Sequence, residues 1–336
     1  MASLIPGCAN HVQDKAVEAE TFAMGTIISQ KVYGEKAQAA IDETLRTIKK
    51  LESLLTFNSE EGDIYQINQN AGLKPVKVSP TTRHILETAL KIARLSEGAF
   101  DPTIGPIVRS WNIGSPDERI PAQAELSELL PLVDYQDVLL DGTSAAGLKN
   151  EGQIIDLGGI AKGYAGDCAL QIYSKHGCLS ALINLGGNVV ALGGRPDGSP
   201  WRIGIQDPRS ANGRVIGFVE VVDKAVVTAG DYQRYFVKDG KRYHHIFDPR
   251  SGRPAASGLW SVTIIADSSM EADALSTAVF VMGVKKGLEL IERYGQAEAI
   301  LITSEQKVIV TDGLRNNFQF LPDSNGYQYE KGQRSK

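Results

Sequence analysis

Asp273, Ser276 and Thr277 stand at i, i+3 and i+4 within Ser268–Met282, so on a helix they form one polar stripe. Its neighbours Ala272, Ala274, Leu275, Ala278, Val279, Phe280 and Val281 are apolar. An unpaired buried carboxylate costs several kcal/mol, well above the ~0.7 kcal/mol scale of helix propensity. Asp273 therefore needs a partner. Oxygen ligands one turn apart suit a hard cation such as Mg²⁺, which also accepts substrate phosphates in its shell. A salt bridge to Lys or Arg would satisfy the carboxylate as well.

Three further segments have chemical potential. In Ile155–Tyr164 a strand delivers the carboxylate of Asp156, Gly158-Gly159 lets backbone approach a ligand, and a helix N-terminus follows with Lys162 in its first turn. Such N-termini suit phosphate, although the segment is neither GxxxxGK[ST] nor GxGxxG. A tight strand-to-helix turn explains the glycines equally. Asn184–Asn188 and Gly193–Gly198 read as two hairpin turns, or as backbone packed against a flat ligand. In Tyr243–Gly252 the adjacent His244 and His245 point to opposite faces of a strand, so at most one faces a site. A packed or surface imidazole is the alternative for either.

The elements that must position these groups follow from periodicity. Thr21–Tyr33 has strand character, interrupted by Met24-Gly25-Thr26. Ile41, Leu45, Ile48, Leu51 and Leu55 recur at helical steps, and Thr56–Gly72 reads as a loop. Ser79 as N-cap, Pro80 at the first position and Gly98 at the end bound a helix with Ile85, Ala89 and Ile92 on one face. Ser115–Leu130 is polar and reads as an insertion or connection. Strands are expected at 153–157, 181–185, 201–206, 215–222, 225–228 and 260–266, with a helix that follows Gly158-Gly159 and runs through Lys175. Asp239-Gly240 suits a type I′ turn between 232–238 and 241–247. Ser268 and Glu271 form a capping-box pattern, 268–282 and 285–294 read as helices, and 299–302 with 308–311 close the sheet. Strands and helices mix without regular alternation, which favours α+β.

The 336 residues allow about two domains or one large one. A hydrophobic fraction of 42% and a charged fraction of 22% suit a folded chain. The net charge of −5, with no basic cluster, argues against nucleic acid as a partner. No apolar run approaches the roughly 18 residues of a transmembrane helix. The cysteines Cys8, Cys168 and Cys178 have no metal-ligand spacing. Cys168 and Cys178 read as idle or buried thiols. Cys8 closes Leu4-Ile5-Pro6-Gly7-Cys8, like the end of a bacterial lipoprotein leader, and Ala9–Glu20 is polar as a tether would be. The basic and apolar regions of a complete leader are absent. The expectation is an extracytoplasmic protein with a lipid anchor at Cys8; a cytoplasmic protein with a coincidental cysteine is the alternative.

Taken in order, these segments resemble the ApbE family of FAD:protein FMN transferases. The likeness runs through Met24-Gly25-Thr26, Phe100-Asp101-Pro102, Asp156–Gly163, Asn184–Asn188, His245–Pro249 and Glu271–Thr277. The resemblance implies an α+β, ApbE-like fold of two α/β portions with an FAD cleft between them. One transferase domain would span 21–325, flanked by a leader remnant and tether at 1–20 and a tail at 326–336. By the same resemblance Met24, Ala99, Phe100 and Asp101 match flavin-nucleotide contacts, Asp156 and Lys162 match contacts at the glycine turn, and Phe57 and Ile246 are weaker matches. The implied metal set is the carbonyl of Gly159 with Asp273 and Thr277, holding Mg²⁺. None of these positions departs from the family pattern.

The implied reaction moves the FMN part of FAD to a Ser/Thr hydroxyl of an acceptor flavoprotein through a phosphoester, releasing AMP. Asp273 and His245 would be the catalytic residues, His245 as base with an ordinary pKa near 6.5. The family's acceptors carry that hydroxyl in a short Asp-containing motif, and nothing in this chain selects one. Two alternatives share the same residues: a Mg²⁺-dependent FAD pyrophosphatase giving FMN and AMP, and a non-catalytic FAD-binding lipoprotein. Storage alone needs no buried carboxylate, so the polar stripe argues against the last.

Overall fold

Strands that are apolar on both faces need cover on both sides. Ala299 and Leu301 of one strand enter one core, while Ile300 and Ile302 enter another. A computed structural model describes residues 15–210, 212–321 and 326–331, and shows the sheet that separates these cores. Cys8 and the expected leader lie outside the described residues.

The sheet has nine strands: β1 (Ala16–Ala23), β2 (Thr26–Tyr33), β3 (Ser180–Leu185), β4 (Asn188–Leu192), β5 (Ala225–Gly230), β6 (Leu259–Ala266), β7 (Ala297–Thr303), β8 (Lys307–Val310) and β9 (Gln328–Lys331). Their spatial order is their chain order. All pairs are antiparallel except β8 with β9.

Helices cover one face: α1 (Ala37–Leu55), α2 (Asp63–Gln69), α3 (Pro80–Leu95), α6 (Ala161–Lys175) and α7 (Ser269–Tyr294). A small sheet of Trp201–Gln206, Val215–Val221 and Phe318–Phe320 covers the other. Between α3 and α6 lie α4 (Gly105–Trp111) and α5 (Gln123–Leu129). Their Ile107, Trp111 and Leu126 form a third cluster with Phe247, and Trp111 Nε1 donates to the Gly252 carbonyl at 2.8 Å. The mixed helix and sheet content is the expected α+β class.

Several local expectations are met by specific bonds. Ser79 Oγ accepts from Thr82 N at 3.1 Å, with Pro80 opening α3. Asp239 and Gly240 sit at φ 52° and 72° and pair Lys238 with Lys241, the type I′ geometry. Helix α7 breaks at Gly283, φ 77°, between the two helices read from the sequence. Ser268 Oγ accepts from Glu271 N at 3.3 Å. The reciprocal half of that capping box is not made, because the Glu271 carboxylate binds Lys91 and Tyr294 instead.

Other expectations need correction. The supposed loop Thr56–Gly72 contains α2, whose Ile64 and Ile67 are fully buried. The supposed connection contains α5, fixed by the buried Leu126. Gln153–Leu157 forms no strand and, among the described residues, makes only an isolated bridge, Ile154 to Ile104. The first strand starts at Ala16, before Thr21, and Gln328–Lys331 joins the sheet beyond the strand expected to close it.

Helices α6 and α7 hold each other by their N-termini. Asp167 on α6 accepts from Ser269 N at 2.7 Å and Met270 N at 3.0 Å. Asp273 on α7 accepts from Gly163 N at 2.9 Å, in the first turn of α6. This approach requires glycine, since a Cβ at Gly163 would lie 2.2 Å from the Ser269 carbonyl oxygen.

Candidate active site

A cleft opens where the β1–β2 and β3–β4 turns meet the start of α6 and the first turns of α7. It has an inner chamber of about 140 Å³ and an outer one of about 800 Å³. Asp156, Gly158, Lys162, Arg234 and His245 line both, so the chambers are continuous. The outer volume falls in the range of small-molecule sites, about 300–1,000 Å³.

Met24 and Phe57 line the outer chamber; Ala99, Phe100, Asp101, Gly159, Ile246, Asp273 and Thr277 line the inner one. With Asp156, Lys162 and His245, every site residue expected from the sequence therefore lines this one cleft.

Met24 and Gly25 make the β1–β2 turn at φ 51° and 69°. A left-handed methionine is uncommon, and here its N–H is held by Glu52 Oε1 at 2.6 Å. Beside it the Arg109 guanidinium lies 5.2 Å over the Phe57 ring. Deeper in, Ser96 Oγ fixes the Phe100 N–H at 3.1 Å. The Asp101 carboxylate is consumed by its own turn, accepting from Thr103 N and Oγ1 at 2.8 and 2.6 Å and from Tyr135 N at 3.0 Å. Asp101 therefore shapes the wall, and its carboxylate oxygens are already engaged. Burial pushes its pKa up, against those bonds.

Asp156 Oδ1 accepts from Gly158 N at 2.6 Å. Desolvation raises the Asp156 pKa, opposed by that N–H and by the charges of Arg234 and Lys162. Lys162 Nζ donates to the Gly158 carbonyl at 3.1 Å and stands 4.0 Å from Asp273 Oδ2. The salt-bridge alternative for Asp273 is thus present only as a long contact.

Asp273 is 5% exposed. Its Oδ2 takes the Gly163 N–H, while Oδ1 has no hydrogen bond among the described residues. Thr277 lies one turn on, and a Cβ at Gly159 would be 3.3 Å from both Thr277 Oγ1 and Phe100 Cε2. Gly159, Asp273 and Thr277 thus meet in one place. No three His, Cys, Asp or Glu side chains cluster as a cage among the described residues.

The two histidines divide between core and cleft, although the strand ends at His244 and His245 lies in the bend that follows it. His244 is buried, with Nε2 against the Ala255 carbonyl at 3.2 Å and its ring edge-on to Phe280. His245 faces the cleft, with Nδ1 3.1 Å from the Arg234 carbonyl. A carbonyl only accepts, so Nδ1 carries the hydrogen and Nε2 the lone pair. The ordinary pKa expected for His245 is corrected. Desolvation, then the Arg234 charge, lowers it to about 3.

Arg109, Gln233 and Arg234 also line the cleft and were missed. A signal existed for Arg234. Counting back from the Asp239-Gly240 turn, the register that pairs Tyr235 with His244 sets Arg234 opposite His245.

The ApbE family matches residues 24–301. Over 306 residues the chain is 37% identical to an FAD:protein FMN transferase of Klebsiella pneumoniae, covering 91% of this chain and 94% of that one. The same activity names a Treponema pallidum relative, 33% identical over 94% of this chain and 92% of its own. Among solved structures, the ApbE protein of Thermotoga maritima superposes with a TM-score of 0.81 at 36% identity, covering 87% of this chain and 95% of that one. The flavin transferase ApbE of Vibrio cholerae gives 0.78 at 27% identity, with 91% and 96% covered.

Proposed function

The chain belongs to the ApbE family, and from that premise we infer that it is an FAD:protein FMN transferase. Its substrates are FAD and an acceptor flavoprotein. The observation that carries the finer reading is the buried Asp273, with one carboxylate oxygen bonded to α6 and the other without a hydrogen bond among the described residues, one turn from Thr277 and beside Gly159.

These groups fit a hard cation. All are oxygen donors, and a single carboxylate among them leaves room for phosphate oxygens. Mg²⁺ held by the Gly159 carbonyl, Asp273 and Thr277 would supply charge neutralisation at the diphosphate and the AMP leaving group. The protein's own groups do the rest by position and charge. Lys162 and Arg234 place two cations on the chamber wall where the diphosphate must lie. The N-terminus of α6 adds its partial positive charge. Ala99, Phe100 and Ile246 contribute apolar surface to the wall of the inner chamber. His245, with Nε2 unprotonated, takes the proton of the acceptor's Ser or Thr hydroxyl as that oxygen attacks the FMN phosphorus. A phosphoester forms, the phosphoanhydride breaks, and AMP departs.

Incubating the protein with FAD, Mg²⁺ and a candidate acceptor fragment, with and without EDTA, tests this by mass spectrometry. The expected result is a gain of one FMN-phosphoryl mass that vanishes with EDTA. Free FMN and AMP without an adduct would point to the pyrophosphatase or to the wrong acceptor. FAD left intact and bound would overturn the enzyme reading.

Location is part of the same proposal. Leu4–Cys8 supports an extracytoplasmic protein anchored by lipid at Cys8. Mass spectrometry of the native N-terminus should show a diacylglyceryl-type mass on Cys8; an unmodified N-terminus would favour the cytoplasm.

A further inference from the structure

Asp231–Arg234 leaves the end of β5 and enters the hairpin of Tyr235–Lys238 and Lys241–His244. At the base of that hairpin the Arg234 carbonyl accepts from the His245 backbone N–H at 3.2 Å and from ring Nδ1 at 3.1 Å. The place of this one oxygen decides which His245 nitrogen holds the proton.

What fixes it lies outside the cleft. Asp231 is 8% exposed. It accepts two parallel N–H bonds from Arg209, at 2.7 Å each, the strong bidentate form of the pair. Arg242, on the opposite limb of the hairpin, reaches the same carboxylate at 3.4 Å. The Arg209 guanidinium lies 4.1 Å over the Trp260 ring, and the Asp231 N–H donates to the Trp260 carbonyl at 3.1 Å. Asp231, at the entry to the hairpin, therefore ties the Lys241–His244 limb through its carboxylate and β6 through its backbone N–H and Arg209. The turn between is short of freedom as well. Gln233 Nε2 donates to the Thr228 carbonyl at 2.9 Å, and a Cβ at Gly230 would meet the Tyr232 ring at 2.4 Å.

We infer that Asp231, through its pairs with Arg209 and Arg242, is a positioning residue that holds the Arg234 carbonyl and so keeps His245 in the Nδ1–H tautomer with Nε2 free. None of the three side chains lines the cleft, so the effect is indirect. The catalytic consequence rests on the reading of His245 as base; the tautomer does not.

The test uses the full chain, without FAD or metal, labelled with ¹⁵N-histidine. The protein should show His245 with Nδ1 protonated and Nε2 bare. Asp231→Asn keeps the shape and removes the charge; it should convert the His245 signals to a mixture of tautomers. In the loaded enzyme kcat should fall roughly tenfold to a hundredfold, the scale on which groups that orient a functional histidine act, with KM for FAD unchanged. Arg242→Gln leaves the bidentate pair in place and should shift both readouts the same way by less. Should Asp231→Asn fail to fold, Arg242→Gln decides. Wild-type tautomer signals in a folded Asp231→Asn, or in Arg242→Gln if Asn does not fold, would overturn the inference. A shifted tautomer with unchanged kcat would keep it and remove His245 as base.

Discussion

Asp273→Ala is expected to lose FMN transfer by about a thousandfold or more and to lose its response to Mg²⁺, because several kcal/mol of charge stabilisation at the phosphoanhydride disappear with the ligand. The substitution has a structural cost too. It frees the Gly163 N–H in the first turn of α6, a loss of about 1 kcal/mol on the scale of helix caps. Asp273→Asn separates the two effects. Its amide oxygen can still accept from Gly163, so melting should stay near the wild type, while the charge toward the metal is gone. Isothermal titration with Mg²⁺ and the acceptor-adduct assay, run on both variants, give the answer. Transfer in Asp273→Asn that still rises with Mg²⁺ as in the wild type would sink the metal assignment.

How much of this was legible depended on whether a signal was local. The Ser79 cap, the Asp239-Gly240 turn and the break near Gly283 are each set by residues within one turn of each other, and each was read correctly. Asp273 was legible for a related reason, since a carboxylate on an apolar helix must find a partner wherever the helix goes. Thr277 was legible with it, one turn on in the same polar stripe, whereas Gly159, which comes from a distant segment, required the family resemblance. Helix α2 was hidden because its two buried residues, Ile64 and Ile67, sit in a stretch of Asn, Gly and Asp with no side-chain cap. Strand β4 was hidden inside a glycine-rich run, although Gly186 and Gly187, at φ 62° and 104°, do make a hairpin turn.

What pattern could not show is pairing at a distance. Arg209 and Asp231 are 22 residues apart and belong to no motif. The environment of His245 was equally hidden. Sequence gives an imidazole its ordinary pKa, but the fold sets that ring against the Arg234 charge in a desolvated wall.

That environment sharpens the second large prediction. His245→Ala should leave FAD affinity within about twofold while transfer falls roughly 10²–10⁴-fold, the usual contribution of a positioned base. The pH profile then discriminates. In the free protein His245 titrates at about 3, so its base form is complete well below neutrality. The profile of kcat/KM reports the free enzyme, and it should show no loss from His245 between pH 7.5 and 5. Bound FAD brings its negative diphosphate into the chamber, which favours the imidazolium and raises the same pKa. The acid limb of kcat, which reports the complex, should therefore lie at higher pH than that of kcat/KM. Stability follows with a definite sign. The unfolded histidine takes up its proton near 6.5 and the folded one only near 3, so the unfolded state binds more protons in that window and stability falls as pH drops through it. His245→Ala should flatten that fall. A kcat/KM limb at 6.5 that disappears in the variant would instead mean an ordinary, solvated imidazole, and the tight pairing of His245 with the Arg234 carbonyl would not describe the working enzyme.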